Sequence, residues 1–293
     1  MSSSAAYFAS HLRYELCVRS REYAKTNKLE HVESYGSMPV IVYQPDDNGR
    51  HGNFLDGTYA TILGNPDWRR RLEKIHAQAR TSLPRSDRRW KELDSCTSSD
   101  ALLMNVFCFP GALAEMRVLS LLGVDTPPTA QFGFRARVPL KSGLFDRTEV
   151  DLRLGDLLIE AKLTESDFQT KGAEVVRGYR DFKEVFDSRM LPAAAGKFLS
   201  YQLIRNVLAA HANACSFCVL LDKRRPDLIE QWYAVMGCVR LVDLRLRCKV
   251  LTWQELSQVL PPRLQEFLAR KYGIAPVGRP PLSLSSENDP EFR

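Results

Sequence analysis

Residues 148–163 read Thr-Glu-Val-Asp-Leu-Arg-Leu-Gly-Asp-Leu-Leu-Ile-Glu-Ala-Lys-Leu. Gly155-Asp156 suits a two-residue primed turn with glycine first, and short apolar strands flank it. That turn sets Leu154 opposite Leu157, Leu152 opposite Ile159 and Val150 opposite Ala161. On the other face Asp151 falls opposite Glu160, and Glu149 opposite Lys162. One face of the hairpin is then apolar. The other gathers three carboxylates and one lysine.

Like charges directly opposite on a sheet destabilise it. A divalent cation between Asp151 and Glu160 reverses the sign of that interaction. Oxygen ligands suit Mg²⁺, which keeps several waters and takes one or two carboxylates plus substrate phosphate. Lys162 lies two residues beyond Glu160 and projects from the same face. From there it can orient or deprotonate a metal-bound water, or neutralise a phosphate.

Asp151 followed by Glu160-Ala161-Lys162 resembles the PD-(D/E)xK nuclease superfamily, the restriction-endonuclease-like fold. Its pattern is an acid on one strand and acid-x-Lys on the next. Val150 stands where the family's name has proline, a position that varies in the superfamily. The resemblance covers about residues 100–260 and implies Asp151, Glu160 and the Ala161 carbonyl as metal ligands, with Lys162 as the catalytic lysine. It implies an α/β fold, a restriction-endonuclease-like mixed sheet flanked by helices, here after a mostly helical N-terminal region. In this superfamily an acid from the helix before the hairpin often joins the metal site, and Glu115 is the candidate. The alternative for Glu115 is a boundary residue or a simple ion pair. Glu149 is a candidate for a second metal or for orienting waters. Many members carry a glutamine on a helix after the catalytic strands, and Gln202 looks similar; the alternative is a solvated polar stripe.

The remaining segments fill this layout. A helix is expected from about Ala5 to Lys28, then loops around a short strand Pro39–Tyr43, and a helix over Trp68–Ala79. Trp68–Lys91 carries nine Lys/Arg against two acids, the most basic window of the chain. It reads as a phosphate-contacting surface or as a solvated helix face. Ser98-Ser99-Asp100 caps a helix into Ala101–Val106. The next helix is Ala112–Leu122, stopped by Gly123, and on its wheel Glu115 falls between Val118, Leu119 and Leu122. Gln131–Leu140 reads as a strand and Thr164–Phe186 as mostly helix. Tyr201–His211 is a helix with Leu203, Ile204, Val207 and Leu208 on one face and Gln202, Arg205 and Asn206 on the other. Phe217–Asp222 is a buried strand, Pro226–Val235 a helix, and Val239–Leu246 an edge strand. Trp253–Leu260 and Arg263–Tyr272 are closing helices, and residues 275–293 read as a disordered tail. The expected division is a helical and irregular region over 1–97, a nuclease core over 98–274, and the tail.

Composition narrows the function classes. Hydrophobic residues make up 44% and charged residues 26% of 293, enough for a core that folds without staples. The net charge of +6 is compatible with a polyanionic partner. Seven cysteines, Cys215 and Cys218 included, lie in apolar segments and read as buried thiols. No leader peptide or membrane span is expected, and the cytoplasm is the expected compartment. There is no Walker A, GxGxxG, GxSxG or HExxH pattern. The resulting expectation is a Mg²⁺-dependent nuclease (Mn²⁺ substituting) acting on nucleic acid, DNA before RNA, with no membrane partner and a homodimer left open. The alternative is a catalytically inactive nuclease-fold protein that binds nucleic acid or a partner protein. A third reading has the hairpin charges as mere surface ion pairs, worth about 0–1 kcal/mol.

Overall fold

The computed structural model describes residues 2–34, 39–75, 91–276 and 278. In chain order the elements that frame the site are α1 (Ser2–Asn27), α2 (Pro66–Arg71), α3 (Ser99–Phe107), α4 (Met116–Leu122), β1 (Ala130–Arg135), β2 (Glu149–Leu154), β3 (Leu157–Ala161), α5 (Tyr201–Ala212), β4 (Ser216–Leu221), α6 (Pro226–Met236), β5 (Cys248–Thr252) and α7 (Pro262–Tyr272). The five strands form one mixed sheet in the order β5-β4-β3-β2-β1. Pairs β1/β2 and β2/β3 are antiparallel; β3/β4 and β4/β5 are parallel. The parallel pairs need crossovers, which run through α5 and α6. This is the expected α/β sheet flanked by helices.

Alternation along the strands loads both faces. Phe217, Val219 and Leu221 of β4 join a core with Leu203, Ile204 and Val207 of α5 and Leu228 and Trp232 of α6. Cys218 and Leu220 point the other way, into a core with Leu12 and Leu16 of α1, Leu102 of α3, Val118 and Leu119 of α4, and Leu264 and Leu268 of α7. Helix α7 starts with Pro262 at its first turn and ends at Gly273, φ +63°. Its buried Leu264, Phe267, Leu268 and Tyr272 follow helical spacing.

Several expected boundaries move. The helix of 112–122 is a single 3₁₀ turn, Ala112–Ala114, followed by α4 from Met116, with Glu115 extended between them. The helix at Trp68 ends at Arg71, and residues 76–90, most of the basic window, lie outside the described residues. Thr164–Phe186 holds only two short helices, Ala173–Arg177 and Phe182–Val185. Val239–Leu246 is not the edge strand: Val242–Leu246 turns into a short helix burying Leu244, and β5 takes the edge. The tail beyond Ala275 lies almost wholly outside the described residues. All seven cysteines are free thiols, buried except for the half-buried Cys248. No helix among the described residues is long and apolar enough to cross a membrane.

Candidate active site

The hairpin forms in the expected register near its turn: Leu154 faces Leu157 and Leu152 faces Ile159, with Gly155 at φ +58°. The ladder stops there, and the expected Val150–Ala161 pair is absent from it. Leu152 and Leu154 lie in the core shared with α4 and α7, whereas Val150 lies in the core shared with α5. The neighbouring strand makes the same change, with Phe132 packed on the first core and Phe134 on the second. Between them Gly133 adopts φ +64°, a conformation that glycine takes without steric cost. The register puts Gly133 across from Asp151, between the pairs Phe132–Leu152 and Phe134–Val150. Both strands therefore cross from one layer to the other at Asp151. The rung missing from the ladder is replaced by a side chain: the Ala161 N–H donates to Asp151 Oδ2 at 2.8 Å.

Glu160 is buried at the end of β3, on the α5 side with Leu158. Lys162 Nζ donates to its Oε1 at 2.7 Å, and Asn206 Nδ2 of α5 donates to its Oε2 at 2.8 Å. Arg205 orients that amide by donating from Nη1 to Asn206 Oδ1 at 2.8 Å, and it anchors α5 to the start of β2 through the carbonyls of Thr148 and Glu149. Lys162 is fixed at its backbone too, donating from N–H to Leu220 O at 2.8 Å and accepting from Trp253 Nε1 at 3.1 Å. Burial alone would push its ammonium down. The charges of Glu160, Glu165 and Asp151 outweigh this and raise it above the ordinary lysine range, so Lys162 stays a cation. Asp151 moves the opposite way from a paired acid. Burial pushes its carboxyl well above the usual range, and the charges of Glu160 and Asp100 push it further, against Lys162 and the Ala161 N–H.

An acid of α3, Asp100, lies close enough for its charge to bear on Asp151. It sits buried in the first turn of α3, held by Arg71 Nη2 at 2.9 Å and Lys74 Nζ at 2.6 Å. Arg71 also reaches Glu149 Oε2 at 2.9 Å through Nη1, so one guanidinium ties α2 to both α3 and β2. Glu149 takes a second, longer contact from Arg135 at 3.5 Å. The structure therefore engages Glu149 with arginines. Glu115 is not brought to the site. It is exposed, and α4 packs its Val118, Leu119 and Leu122 on the sheet face opposite Glu160. The wheel failed because the helix begins only after Glu115. Gln202 lies one helical turn before Asn206. Its N–H donates to Phe168 O at 2.9 Å, and its buried Oε1 has no hydrogen-bond partner.

Asn206, Asp100 and Arg71 complete the cluster and were not singled out from sequence. Asn206 had a signal, its place beside Gln202 and Arg205 on one face of the helix. Asp100 was legible only as part of a capping segment, and Arg71 only as one of many basic residues. Chemically the cluster offers two adjoining carboxylates, Asp151 and Glu160, and a permanent cation beside them. Among the described residues no group of three His, Cys, Asp or Glu side chains is arranged to hold a metal ion.

No curated protein and no solved structure matches the chain. The model of one family, described as restriction endonuclease associating with ARP, matches residues 19–273, and the chain belongs to that family.

Proposed function

We propose that the protein is a divalent-metal-dependent nuclease that hydrolyses phosphodiester bonds, with DNA as its substrate and cleavage internal to the strand. The observation that carries this is the geometry of the hairpin end: Asp151 accepts from the Ala161 N–H at 2.8 Å, directly beside the buried Glu160, which accepts from Lys162 Nζ at 2.7 Å. The Asp151 carboxyl is held well above the usual range beside Glu160, a state that a bound cation would relieve. The donors present fit a hard divalent ion: two carboxylates, the Ala161 carbonyl next to them, and the unpartnered Gln202 Oε1 on the helix that supplies Asn206. Mg²⁺, or Mn²⁺ in its place, would be held by Asp151 and Glu160, and would supply Lewis acidity toward the phosphate and water.

The chain's own groups divide the remaining work. Lys162, paired with Glu160 at 2.7 Å, places a positive charge where it faces the negative charge that develops on the phosphate. Asn206 and Lys162 each take one oxygen of Glu160, which fixes the carboxylate plane. The Ala161 N–H does the same for Asp151. Gln202 Oε1, buried and without a hydrogen-bond partner, is an acceptor that an ordered water or a bound group would satisfy. Glu149, engaged by Arg71 and Arg135, belongs to the wall of the site, with no ligand role.

The competing reading is a nuclease-fold protein that binds without cutting, and the lack of a three-acid cluster among the described residues speaks for it. One experiment separates the two. Plasmid, linear duplex and single-stranded DNA and RNA are incubated with and without Mg²⁺ or Mn²⁺, beside Glu160→Gln. Cleavage that needs the cation and vanishes in the variant supports the nuclease. Intact substrates under every condition support the binder.

A further inference from the structure

Beside the carboxylates lies a cavity of about 610 Å³ whose walls include Trp68, Arg70, Arg71, Lys74, Arg135 and Glu149. Four cations line it, Arg70, Arg71, Lys74 and Arg135, against two acids, Asp67 and Glu149. The acids are already engaged by arginines, Asp67 by Arg70 and Glu149 by Arg71 and Arg135. Two of those ion pairs are loose. Arg70 reaches Asp67 only at 3.4 Å and Arg135 reaches Glu149 only at 3.5 Å, with the arginine side chains 81% and 72% exposed. Ion pairs of that length between solvated groups hold little energy and yield readily to a phosphate. The aromatic wall is firm in contrast. Trp68 Nε1 donates to Ala130 O at 3.0 Å, and its indole stands edge-on to Phe132, 6.1 Å away at 86°. A ring so held keeps its orientation without a ligand.

Cations with exposed, weakly committed heads beside a fixed aromatic ring are the two elements of a single-strand nucleic-acid track. The groove also runs to the chemistry. Its floor residue Glu149 is two positions from Asp151 on β2, about 6.6 Å along the strand. Arg71 links that floor to Asp100, whose charge bears on Asp151. From this we infer that the groove between α2 and β1 binds a single-stranded segment of nucleic acid, with its phosphates on Arg70 and Arg135 and a base against Trp68. This deepens the nuclease reading and rests on it for the identity of the strand, which continues to the phosphate at Asp151 and Glu160.

The test is fluorescence anisotropy with a labelled oligothymidylate and with a duplex of equal length, in EDTA so that binding is read without cleavage. Wild type is expected to bind the single strand more tightly than the duplex. Arg70→Glu/Arg135→Glu is expected to bind roughly tenfold or more weakly, with a salt slope shallower by about 1.4, about 0.7 for each phosphate no longer neutralised. Arg245→Glu/Arg263→Glu, exposed positions on other elements, makes the same change in net charge and is expected to retain binding. A groove variant that binds like wild type, a duplex bound as tightly as the single strand, or no binding by wild type overturns the inference. The groove stands on its own readout: weakened binding in the groove variant supports it even where no substrate is cut, and cleavage by a protein whose groove variant binds normally overturns it alone.

Discussion

Asp151 accepts through Oδ2 the amide proton of Ala161 at 2.8 Å, in place of the backbone rung that the hairpin abandons beyond Leu152 and Ile159. One carboxylate thus has two tasks. It closes the sheet where the strand changes layers, and it stands beside Glu160 as an acid that burial and its neighbours' charge hold toward the neutral form.

These tasks separate in two substitutions. Asp151→Asn keeps an oxygen for the Ala161 N–H and removes the ionisable group whose ionisation burial and Glu160 disfavour, so in metal-free buffer its unfolding midpoint is expected to rise above that of wild type. Asp151→Ala removes both and leaves the amide unpaired, which is expected to cost about 1–3 kcal/mol. Saturating Mn²⁺ is expected to raise the melting temperature of wild type, by an amount worth about 2.7 kcal/mol at a hundredfold excess over Kd, and to leave the Asn variant unmoved. Thermal melts of the three proteins with and without Mn²⁺ check this.

Lys162 and Glu160 form a buried pair at 2.7 Å. Removing one member strands the other. Lys162→Met is expected to be destabilised by about 3–5 kcal/mol in urea unfolding, and Lys162→Met/Glu160→Gln to recover a large part of it. Equal destabilisation in the single and double variants would mean that the effect is one of packing.

Gly133 is held at φ +64°, and a Cβ there would come within 2.5 Å of Arg71 Nη1 and 3.1 Å of Glu149 Oε2. Gly133→Ala is therefore expected to cost about 1–2 kcal/mol in backbone strain and to part Arg71 from Glu149. Comparison with Arg71→Met and with the double variant checks the coupling. Effects that simply add would rule out the coupling.

Much of this site was legible in the sequence, and the limits have physical causes. A Gly-Asp turn between alternating apolar residues sets register locally, and Glu160 and Lys162 share a face through the two-residue period alone. The bend at Asp151 depends on Gly133 in another strand and on which core each layer meets, and neither leaves a mark at Val150. Periodicity grouped Asn206 with Gln202 and Arg205, yet a polar stripe reads the same whether it meets water or a buried carboxylate. Asp100 looked like a capping residue because its role depends on Arg71 and Lys74, distant in the chain. Glu115 lies away from the site because the helix begins only after it, at Met116, so a wheel drawn over 112–122 does not describe its direction.

A second buried lysine gives the protein a pH signature away from the site. Lys271 Nζ donates to Gly52 O at 2.6 Å and Asn53 Oδ1 at 2.7 Å and lies 4.1 Å from the Tyr43 ring centroid. Burial pushes its ammonium well below the usual 10.5, with Cys96 pulling the other way. A lysine depressed in the folded state binds fewer protons folded than unfolded. Its contribution is complete above 10.5 and is lost as pH falls through the folded value. Urea midpoints from about pH 6 to about pH 10 are expected to show the stability difference between wild type and Lys271→Met growing as pH rises. A difference that stays flat or shrinks would contradict the depressed value.

The most direct test of the proposed chemistry is the initial rate of DNA cleavage by wild type and Asp151→Asn at equal Mn²⁺, with both proteins shown to be folded by their melts. The expected result is cation-dependent cutting by wild type and a drop of at least a hundredfold in the variant, in line with removing a group that holds the metal. Cutting by Asp151→Asn at the wild-type rate would contradict it.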